Sequence, residues 1–271
     1  MIDIFFKNHE YKKLGGLNNN NYLINYFGKK YVLRIPCKEN KNDFSNENLI
    51  LELLNNENLS PKKIYHNPES GILLSTYLNS SNLTFNDFKS KKFLKALTKE
   101  LKKFHNIKND NIKTFNPFLE IRSNINNLKK LDFKFDYDID IFLNKVDLIE
   151  KKYLDNKSLG LCHNDLNISN ILYKDNKVYF IDFEFSGICD IYFDLATISW
   201  FLNTDERMFL LKSYFGEVDG FHLSKLYDYL YIVKLWNASW SLKKSLTAKS
   251  DYDYKLGGNL ILDSIISYSP S

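Results

Sequence analysis

Residues 161–173, LCHNDLNISNILY, place a cluster of polar side chains between two apolar ends. Asp165 and Asn170 stand five positions apart in this segment, and Asp182 comes directly after the apolar run VYFI. Carboxylate and amide oxygens suit a hard cation such as Mg²⁺, which proteins usually hold through one or two carboxylates and the phosphates of a substrate. These three residues therefore predict a site for a nucleotide with its metal ion.

The elements next to this cluster are two short β-rich runs, residues 170–173 and 177–182, which the turn KDN joins into a predicted hairpin. An Asp, an Asn five positions on, a hairpin and then Asp-Phe is the order found in the kinase catalytic core. There the first Asp positions the attacking hydroxyl and the other two residues hold metal. The alternative interpretation is that these residues only cap a structural hairpin.

The first part of the chain predicts a small lobe dominated by strands. Two β-rich runs lie on either side of the turn Gly28-Lys29-Lys30, and the run of Asn residues at 18–21 is predicted to be a loop. Ser45 is a plausible N-cap for an amphipathic helix. The predicted elements are strands at 22–27, 31–35, 63–66 and 71–78 and a helix at 45–56.

After Leu78 the apolar residues recur at helical spacing, so a helical lobe is predicted to follow the strand-rich one. A polar connector within residues 76–82 is short enough to act as a hinge. We therefore predict an α+β chain with a lobe at 1–78 and a larger, mostly helical lobe at 79–271. The predicted helices are at 86–106, 118–131, 138–154, 194–215 and 222–247.

Composition excludes several classes of protein. In 271 residues, 44% are hydrophobic and the net charge is only +4, without clustered Lys and Arg beside spaced aromatic residues, so nucleic acid is not an expected partner. Cys37, Cys162 and Cys189 are too widely spaced for zinc or a disulfide framework. Neither a cleavable leader nor an apolar run of membrane-spanning length is visible, which predicts a cytoplasmic protein without membrane insertion.

Two longer segments, HNDLNISNIL and IDFEFSGICDIYFDLA, resemble the choline/ethanolamine kinases, which belong with the aminoglycoside phosphotransferases in the protein-kinase-like superfamily. The chain has His-Asn-Asp where protein kinases have His-Arg-Asp, and Asp-Phe-Glu where they have Asp-Phe-Gly. The Glu of IDFE favours the choline kinase branch. The resemblance extends over nearly the whole chain and implies a protein-kinase-like bilobal fold.

For the nucleotide, the resemblance implies a covering loop, a basic residue on a strand, its acidic partner and a connector whose backbone meets adenine. Arg34 stands among apolar neighbours, where an unpaired charge would be costly, so a phosphate and Glu47 are its expected partners. Choline kinases commonly have Arg at this place. The residues assigned in this way are Gly15, Gly16, Arg34, Glu47, Thr76 and Leu78.

The same resemblance implies that Asp165 accepts or orients the proton of the substrate hydroxyl. Asn170 and Asp182 would hold Mg²⁺ on the phosphates of ATP, with Glu184 assisting through metal-bound water. Catalysis would then consist mainly of positioning and charge neutralisation.

For the acceptor, a trimethylammonium group donates no ordinary hydrogen bonds and needs aromatic faces around it. Trp236 and Trp240 are four residues apart, on one face of a helix, although without the resemblance a core role would be the default. Phe201 stands where animal choline kinases usually carry an acidic residue, which leaves the source of negative charge open. The implied acceptor residues are Asn167, Phe185, Trp236, Trp240 and Tyr254.

The sequence therefore predicts an ATP- and Mg²⁺-dependent kinase that phosphorylates the small molecule choline. Ethanolamine is the first alternative acceptor, with thiamine or an aminoglycoside after it. An alternative of another class is a catalytically silent kinase-like protein that binds a nucleotide or a small amine. The intact set of Asp165, Asn170 and Asp182 argues against that class, and the oligomeric state is left open.

Overall fold

The computed structural model describes residues 10–15, 19–37, 43–80, 83–248 and 252–267, which form a mixed α+β structure. Its strands are β1 Tyr11–Leu14, β2 Asn19–Tyr26, β3 Lys29–Pro36, β4 Lys63–His66, β5 Leu73–Thr76, β6 Leu159–Cys162, β7 Ile171–Lys174, β8 Lys177–Phe180 and β9 Gly187–Asp190. Its helices are α1 Ser45–Glu57, α2 Phe85–Lys89, α3 Lys91–His105, α4 Pro117–Lys130, α5 Ile139–Lys152, α6 Tyr192–Ser199, α7 Thr204–Phe215, α8 Gly220–Lys244 and α9 Tyr254–Ile266.

The largest sheet has five strands in the order β1-β2-β3-β5-β4, and every neighbouring pair is antiparallel. Phe27 and Gly28 both have positive φ between β2 and β3, as a type I′ hairpin turn requires. The predicted loop at Asn18–Asn21 is wrong from Asn19 onward, because Asn19 already pairs with Pro36 in β3. The continuous backbone pairing between β2 and β3 outweighs the low β-propensity of Asn.

Helix α1 buries Ile50, Leu51 and Leu54. The apolar pattern that predicts the helix consists of Leu49, Ile50, Leu53 and Leu54, of which Leu49 and Leu53 are only half-buried. The predicted N-cap role of Ser45 is wrong. Phe44 occupies the cap position without a side-chain cap, and the Ser45 N–H donates instead to Asp43 Oδ1 at 3.0 Å. Asp43 therefore satisfies the first of the free N–H groups of the helix, whereas the residue at the cap position contributes no side-chain cap.

The contacts divide the chain into two compact units, one formed by residues 1–113 with 160–188 and the other by 114–159 with 189–271. The first unit holds the five-stranded sheet, α1 to α3 and the β7–β8 hairpin. Division of the chain at Leu78 stays a prediction, and α2 and α3 group with the sheet.

The core of the first unit lies partly under the hairpin. Helix α3 packs against β8, and its buried face includes Phe104. The Phe104 ring lies 5.5 Å from that of Phe180 and 6.1 Å from that of Phe183. The residues on either side of Asp182 are thus anchored by aromatic packing.

In the second unit, the 25-residue helix α8 packs against α4, α6 and α9. The single helix predicted at 194–215 is two helices, because Asn203 forms a capping box with Glu206 and starts α7. None of the helices in the described part of the chain combines the length and apolar character needed to span a membrane.

Candidate functional site

Arg34 on β3 and Glu47 in the first turn of α1 form a buried, two-pronged ion pair. Arg34 Nη1 donates to Glu47 Oε1 at 2.7 Å, and Nη2 donates to Oε2 at 2.5 Å. Burial alone would raise the pKa of Glu47, but Arg34 and His66 outweigh it and lower the pKa to about 2. Burial would lower the pKa of Arg34, yet the Glu47 carboxylate holds it above its usual value. Both groups are therefore charged.

The same guanidinium reaches Asp182, the residue predicted to hold metal. Nη1 of Arg34 donates to Asp182 Oδ1 at 3.1 Å. Asp182 has φ 67°, a left-handed conformation that Asp tolerates better than most residues. Burial, with help from Glu47, raises the pKa of Asp182 against the opposing effect of Arg34. The ion pair thus fixes the start of the loop after β8.

His163 braces the loop that carries Asp165. The fully buried imidazole accepts a hydrogen bond from the Asp165 N–H at Nδ1, at 3.3 Å. Nε2 therefore carries the hydrogen and donates to the Ile181 carbonyl at 2.9 Å. One side chain thus connects the loop that carries Asp165 with the end of the hairpin.

The Asp165 carboxylate accepts hydrogen bonds at both oxygens. Asn167 Nδ2 reaches Oδ1 at 3.0 Å, and Asn170 Nδ2 reaches Oδ2 at 2.8 Å. Burial nevertheless raises the pKa of Asp165 to about 6, against the lowering effect of the hydrogen bonds from Asn167 and Asn170. Above this pH the group is an ionised carboxylate that is more basic than an ordinary Asp, as a proton acceptor should be.

The side-chain oxygens at this site are suitable ligands for Mg²⁺. Both side-chain hydrogen bonds of Asn170 use its nitrogen, one to Asp165 Oδ2 and one to the Asp165 carbonyl at 2.8 Å, so the amide oxygen is the atom offered to a cation. The Asp182 side chain keeps 31% of its surface exposed. Glu184, half-buried, acts electrostatically on Arg34. A carboxylate and an amide oxygen are ligands that Mg²⁺ takes.

The Nε–H of Arg34 is a second indication that this site binds a ligand. Among the described residues this buried group has no hydrogen-bond partner. Leaving a buried donor unpaired costs about 1–3 kcal/mol, more for a charged group. An anionic oxygen beside Arg34 would remove that cost.

The other residues predicted to meet the nucleotide are less tightly defined. Gly15 is exposed, and its carbonyl accepts from Asn21 Nδ2 at 3.1 Å, whereas Gly16 lies outside the described residues. Thr76 ends β5 with its hydroxyl accepting from the Lys62 N–H at 3.0 Å. Leu78 is half-buried in the following segment. Their contacts with a nucleotide stay predictions.

Two predicted acceptor residues lie near Asp165 in the first unit. Asn167 caps a 3₁₀ turn through Oδ1, which accepts from Ser169 N–H at 3.0 Å, while its Nδ2 holds Asp165. Phe185 is half-buried, and its carbonyl accepts from Asn164 Nδ2 at 2.8 Å. Asn167 is therefore as much a support for Asp165 as a candidate contact of the acceptor.

The second unit brings two of the predicted aromatic residues together. The rings of Trp240 on α8 and Tyr254 on α9 meet edge to face at 5.9 Å. The Tyr252 ring lies 4.9 Å from that of Tyr254 and is half-exposed. These rings form an aromatic cluster, which we define as Trp240, Tyr252 and Tyr254.

Trp236 has a different environment from Trp240. It is only 4% exposed, and its indole meets the rings of Phe115 at 5.8 Å and Phe193 at 5.9 Å edge to face. Such packing is typical of a core residue. Its predicted contact with the acceptor stays a prediction.

Sequence reasoning missed two residues that shape the site. His66 on β4 is buried, with Nε2 at 3.6 Å from Glu47 Oε2, and nothing in its neighbourhood along the chain signals this. Asn164 has φ 65°, and its side chain bonds the loop that carries Asp165 to the carbonyl of Phe185. An Asn directly before Asp165 is a usable signal, since Asn adopts left-handed conformations more readily than most residues.

A known protein family matches the chain over most of its length. The family described as Choline/ethanolamine kinase matches residues 12–204. Protein LicA of Haemophilus influenzae is 32% identical over 224 residues, which are 78% of this chain but 64% of that protein, less than two thirds of its length.

Solved structures show the same fold. The choline kinase LicA from Streptococcus pneumoniae superposes with a TM-score of 0.80 at 23% identity, over 96% of this chain and 94% of that chain. A structure of LicA in complex with AMP gives 0.78 at 24% identity, over 96% and 92%. The α+β, kinase-like fold predicted from the sequence is thereby confirmed.

Proposed function

Because this chain belongs to the choline/ethanolamine kinase family, we propose that it transfers the γ-phosphate of ATP to the hydroxyl group of choline. The observation that carries the proposal is the set of Asp165, Asn170 and Asp182 in one compact unit, with Arg34 bonded to Asp182. The AMP bound to one LicA structure supports the use of a nucleotide. The choline kinase activity named for its Streptococcus pneumoniae counterpart supports choline as the acceptor.

For the phosphoryl donor, ATP, we propose that Arg34 binds the phosphates. Glu47 holds two of its nitrogens at 2.7 and 2.5 Å, which fixes the guanidinium plane and leaves Nε–H for a phosphate oxygen. The Gly15-Gly16 segment covers the phosphates, and the backbone around Thr76 and Leu78 meets the adenine.

Asn170 and Asp182 would hold Mg²⁺, with Glu184 assisting. When bound, the ion neutralises charge on the phosphate oxygens. The chain itself supplies orientation, since Asn170 is fixed by two hydrogen bonds to Asp165 and Asp182 by one from Arg34. A cytoplasmic location, where ATP is available, fits this chemistry.

On the acceptor side, Asp165 orients the choline hydroxyl and accepts its proton. The raised pKa of about 6 makes this carboxylate a better base than an ordinary Asp while it stays ionised at neutral pH. Half-buried Trp240 is the main proposed contact of the trimethylammonium group. The further proposed contacts are Tyr254, which is as buried as Trp236, together with Trp236, Asn167 and Phe185.

The deciding experiment is a coupled ADP-release assay with choline, ethanolamine, thiamine and kanamycin as acceptors. We expect the highest kcat/KM for choline and no turnover in EDTA. A preference for ethanolamine would move the enzyme to the other branch of its family. Nucleotide binding without ADP release for any acceptor would contradict the proposal and favour a silent binding protein.

A further inference from the structure

Two consecutive residues of α1 hold the two ends of the loop at Asp182–Ser186. Glu47 holds its first residue through Arg34, which donates to Asp182 at 3.1 Å. Asn46 holds its last residue directly, since Asn46 Nδ2 donates to the Ser186 carbonyl at 2.8 Å. The first turn of the helix thus contacts the loop at both ends.

The oxygen of the Asn46 side chain is also used. Oδ1 accepts from the backbone N–H of Lys113 at 2.9 Å, and the Lys113 carbonyl in turn accepts from Ile188 N–H at 2.9 Å. The amide of Asn46 therefore lies between two backbone segments and bonds to each, as a peptide group does in a sheet. The Asn side chain carries a donor and an acceptor on one planar amide, the same pair of groups that a peptide offers.

The far end of the loop is also connected to the catalytic loop. The Ser186 hydroxyl donates to the carbonyl of His163 at 3.2 Å. Displacement of Ser186 would therefore be felt at the loop that carries Asp165 as well as at Asp182. All of these residues belong to the first compact unit.

We infer that Asn46 is a positioning residue for phosphoryl transfer, which keeps the Asp182–Ser186 loop in place relative to the Arg34–Glu47 pair. The inference rests on the proposed function for its catalytic consequence. Asn46 does not touch the reacting groups; it acts through Ser186 on the position of Asp182. The hydrogen bonds of Asn46 and Ser186 are independent of which acceptor the protein uses.

The test compares Asn46→Ala with Asn48→Ala. Asn48 is on the same helix turn and is also half-buried, but its side chain bonds Glu52 at 3.1 Å and Lys63 at 2.9 Å instead of the loop. A second variant, Asn46→Asp, keeps the size of the side chain and the acceptor for Lys113 N–H but removes the donor to Ser186. It serves if the alanine variant folds poorly.

Hydrogen exchange of the ligand-free variants is the first measurement. We expect the amides of Ser186 and Ile188 to exchange roughly tenfold faster in Asn46→Ala and Asn46→Asp than in Asn48→Ala, as expected for one lost hydrogen bond. Calorimetric titration with ADP is the second. Both Asn46 variants should lose much of the affinity that Mg²⁺ adds for ADP, with binding in EDTA unchanged.

Steady-state kinetics is the third measurement. kcat should fall about 10- to 100-fold in the Asn46 variants with little change in the KM for choline, since a small misplacement of a catalytic group is costly. Unchanged exchange at the loop, or faster exchange with normal Mg²⁺-dependent ADP binding and normal kcat, would overturn the inference. If the wild-type protein phosphorylates no acceptor, the proposed function fails, whereas the exchange and ADP measurements still decide the role of Asn46.

Discussion

The first unit contains a polar cluster, which we define as Arg34, Glu47, Asp165 and Asp182. This cluster and the aromatic cluster of the second unit are stabilised in different ways. Arg34, Glu47, Asp165 and Asp182 are held by directed hydrogen bonds, and burial raises the pKa of both Asp residues. Trp240 and Tyr254 are held by packing, edge to face at 5.9 Å. In the polar cluster, ionisation of Asp165 and Asp182 opposes the stability of the fold, whereas in the aromatic cluster the ring contacts contribute to stability.

This difference decides how each region responds to substitution. Removing a polar group from a hydrogen-bonded set abolishes a specific interaction, so its effect should be concentrated in turnover. Removing a ring deletes buried apolar surface, so its effect should depend on how deeply that ring is buried. Four measurements test the contrast.

The largest effect is expected for Asp165→Ala. Loss of a positioned proton acceptor lowers kcat by roughly 10²–10⁴-fold, while the KM for ATP stays close to the wild-type value because Arg34 and Glu47 are intact. Steady-state ADP release measures both constants. Asp110→Ala, an exposed Asp in the same unit, is the matched control. Turnover close to normal in the Asp165 variant would remove that residue from its proposed role.

Trp236→Ala should act mainly on folding. Its indole is 4% exposed and contacts Phe115 and Phe193, and loss of such a ring costs about 3–5 kcal/mol in the free energy of unfolding. Urea denaturation measures the change. A stable variant with a strongly raised KM for choline would instead place Trp236 in the acceptor site.

Trp240→Ala should act mainly on binding. The lost cation–π contact is worth about 0.5–2 kcal/mol, which corresponds to roughly a 2- to 30-fold rise in the KM for choline. The KM for ATP provides the internal control. Equal changes in both KM values, or none in that for choline, would contradict a role in cation binding.

An effect of similar, small size is expected from Asp165 on the free energy of unfolding. The folded state raises the pKa of Asp165 from 3.8 to about 6, so it favours the protonated form. The ionised group therefore destabilises the fold above pH 6, and this cost disappears as the pH falls below the unfolded value.

Asp165→Asn, measured without Mg²⁺, loses one of the two side-chain hydrogen bonds at every pH, because an amide accepts at only one of its two terminal atoms. The pKa shift acts in addition, so the stability of the variant relative to the wild type should be about 1–2 kcal/mol higher at pH 8 than at pH 4, after allowance for partial solvent exposure. Thermal denaturation at the two pH values tests the sign. A relative stability that does not rise with pH would contradict the raised pKa of Asp165.

The difference between the polar and the aromatic cluster also explains which parts of the site could be predicted from the sequence. The polar set was predictable because Asp165, Asn170 and Asp182 lie within one short segment whose residue types are unusual beside apolar strands. Trp236 and Trp240 share the same spacing pattern, and their different burial arises from partners on other elements. An aromatic residue in a core and one facing a ligand are alike in sequence.

The role of Asn46 could not be predicted from the sequence at all. Its two partners are 67 and 140 residues away along the chain, and no local pattern indicates either of them. The strand at Asn19–Tyr26 shows the same effect in the backbone, since pairing with β3 overrides the low β-propensity of Asn. Long-range pairing of this kind requires the fold itself.

Helix α1 has no side-chain cap from the residue at its cap position, and the first N–H of the helix is held by the exposed side chain of Asp43. This weakly held helix start has a thermal consequence. Asn46 and Glu47 belong to the turn that a helix releases most easily, so their tertiary bonds hold the helix end as much as the helix end holds them. Warming should loosen this turn while the rest of the protein remains folded. The protein would then become inactive on heating at a lower temperature than that at which it melts, and cooling would restore it.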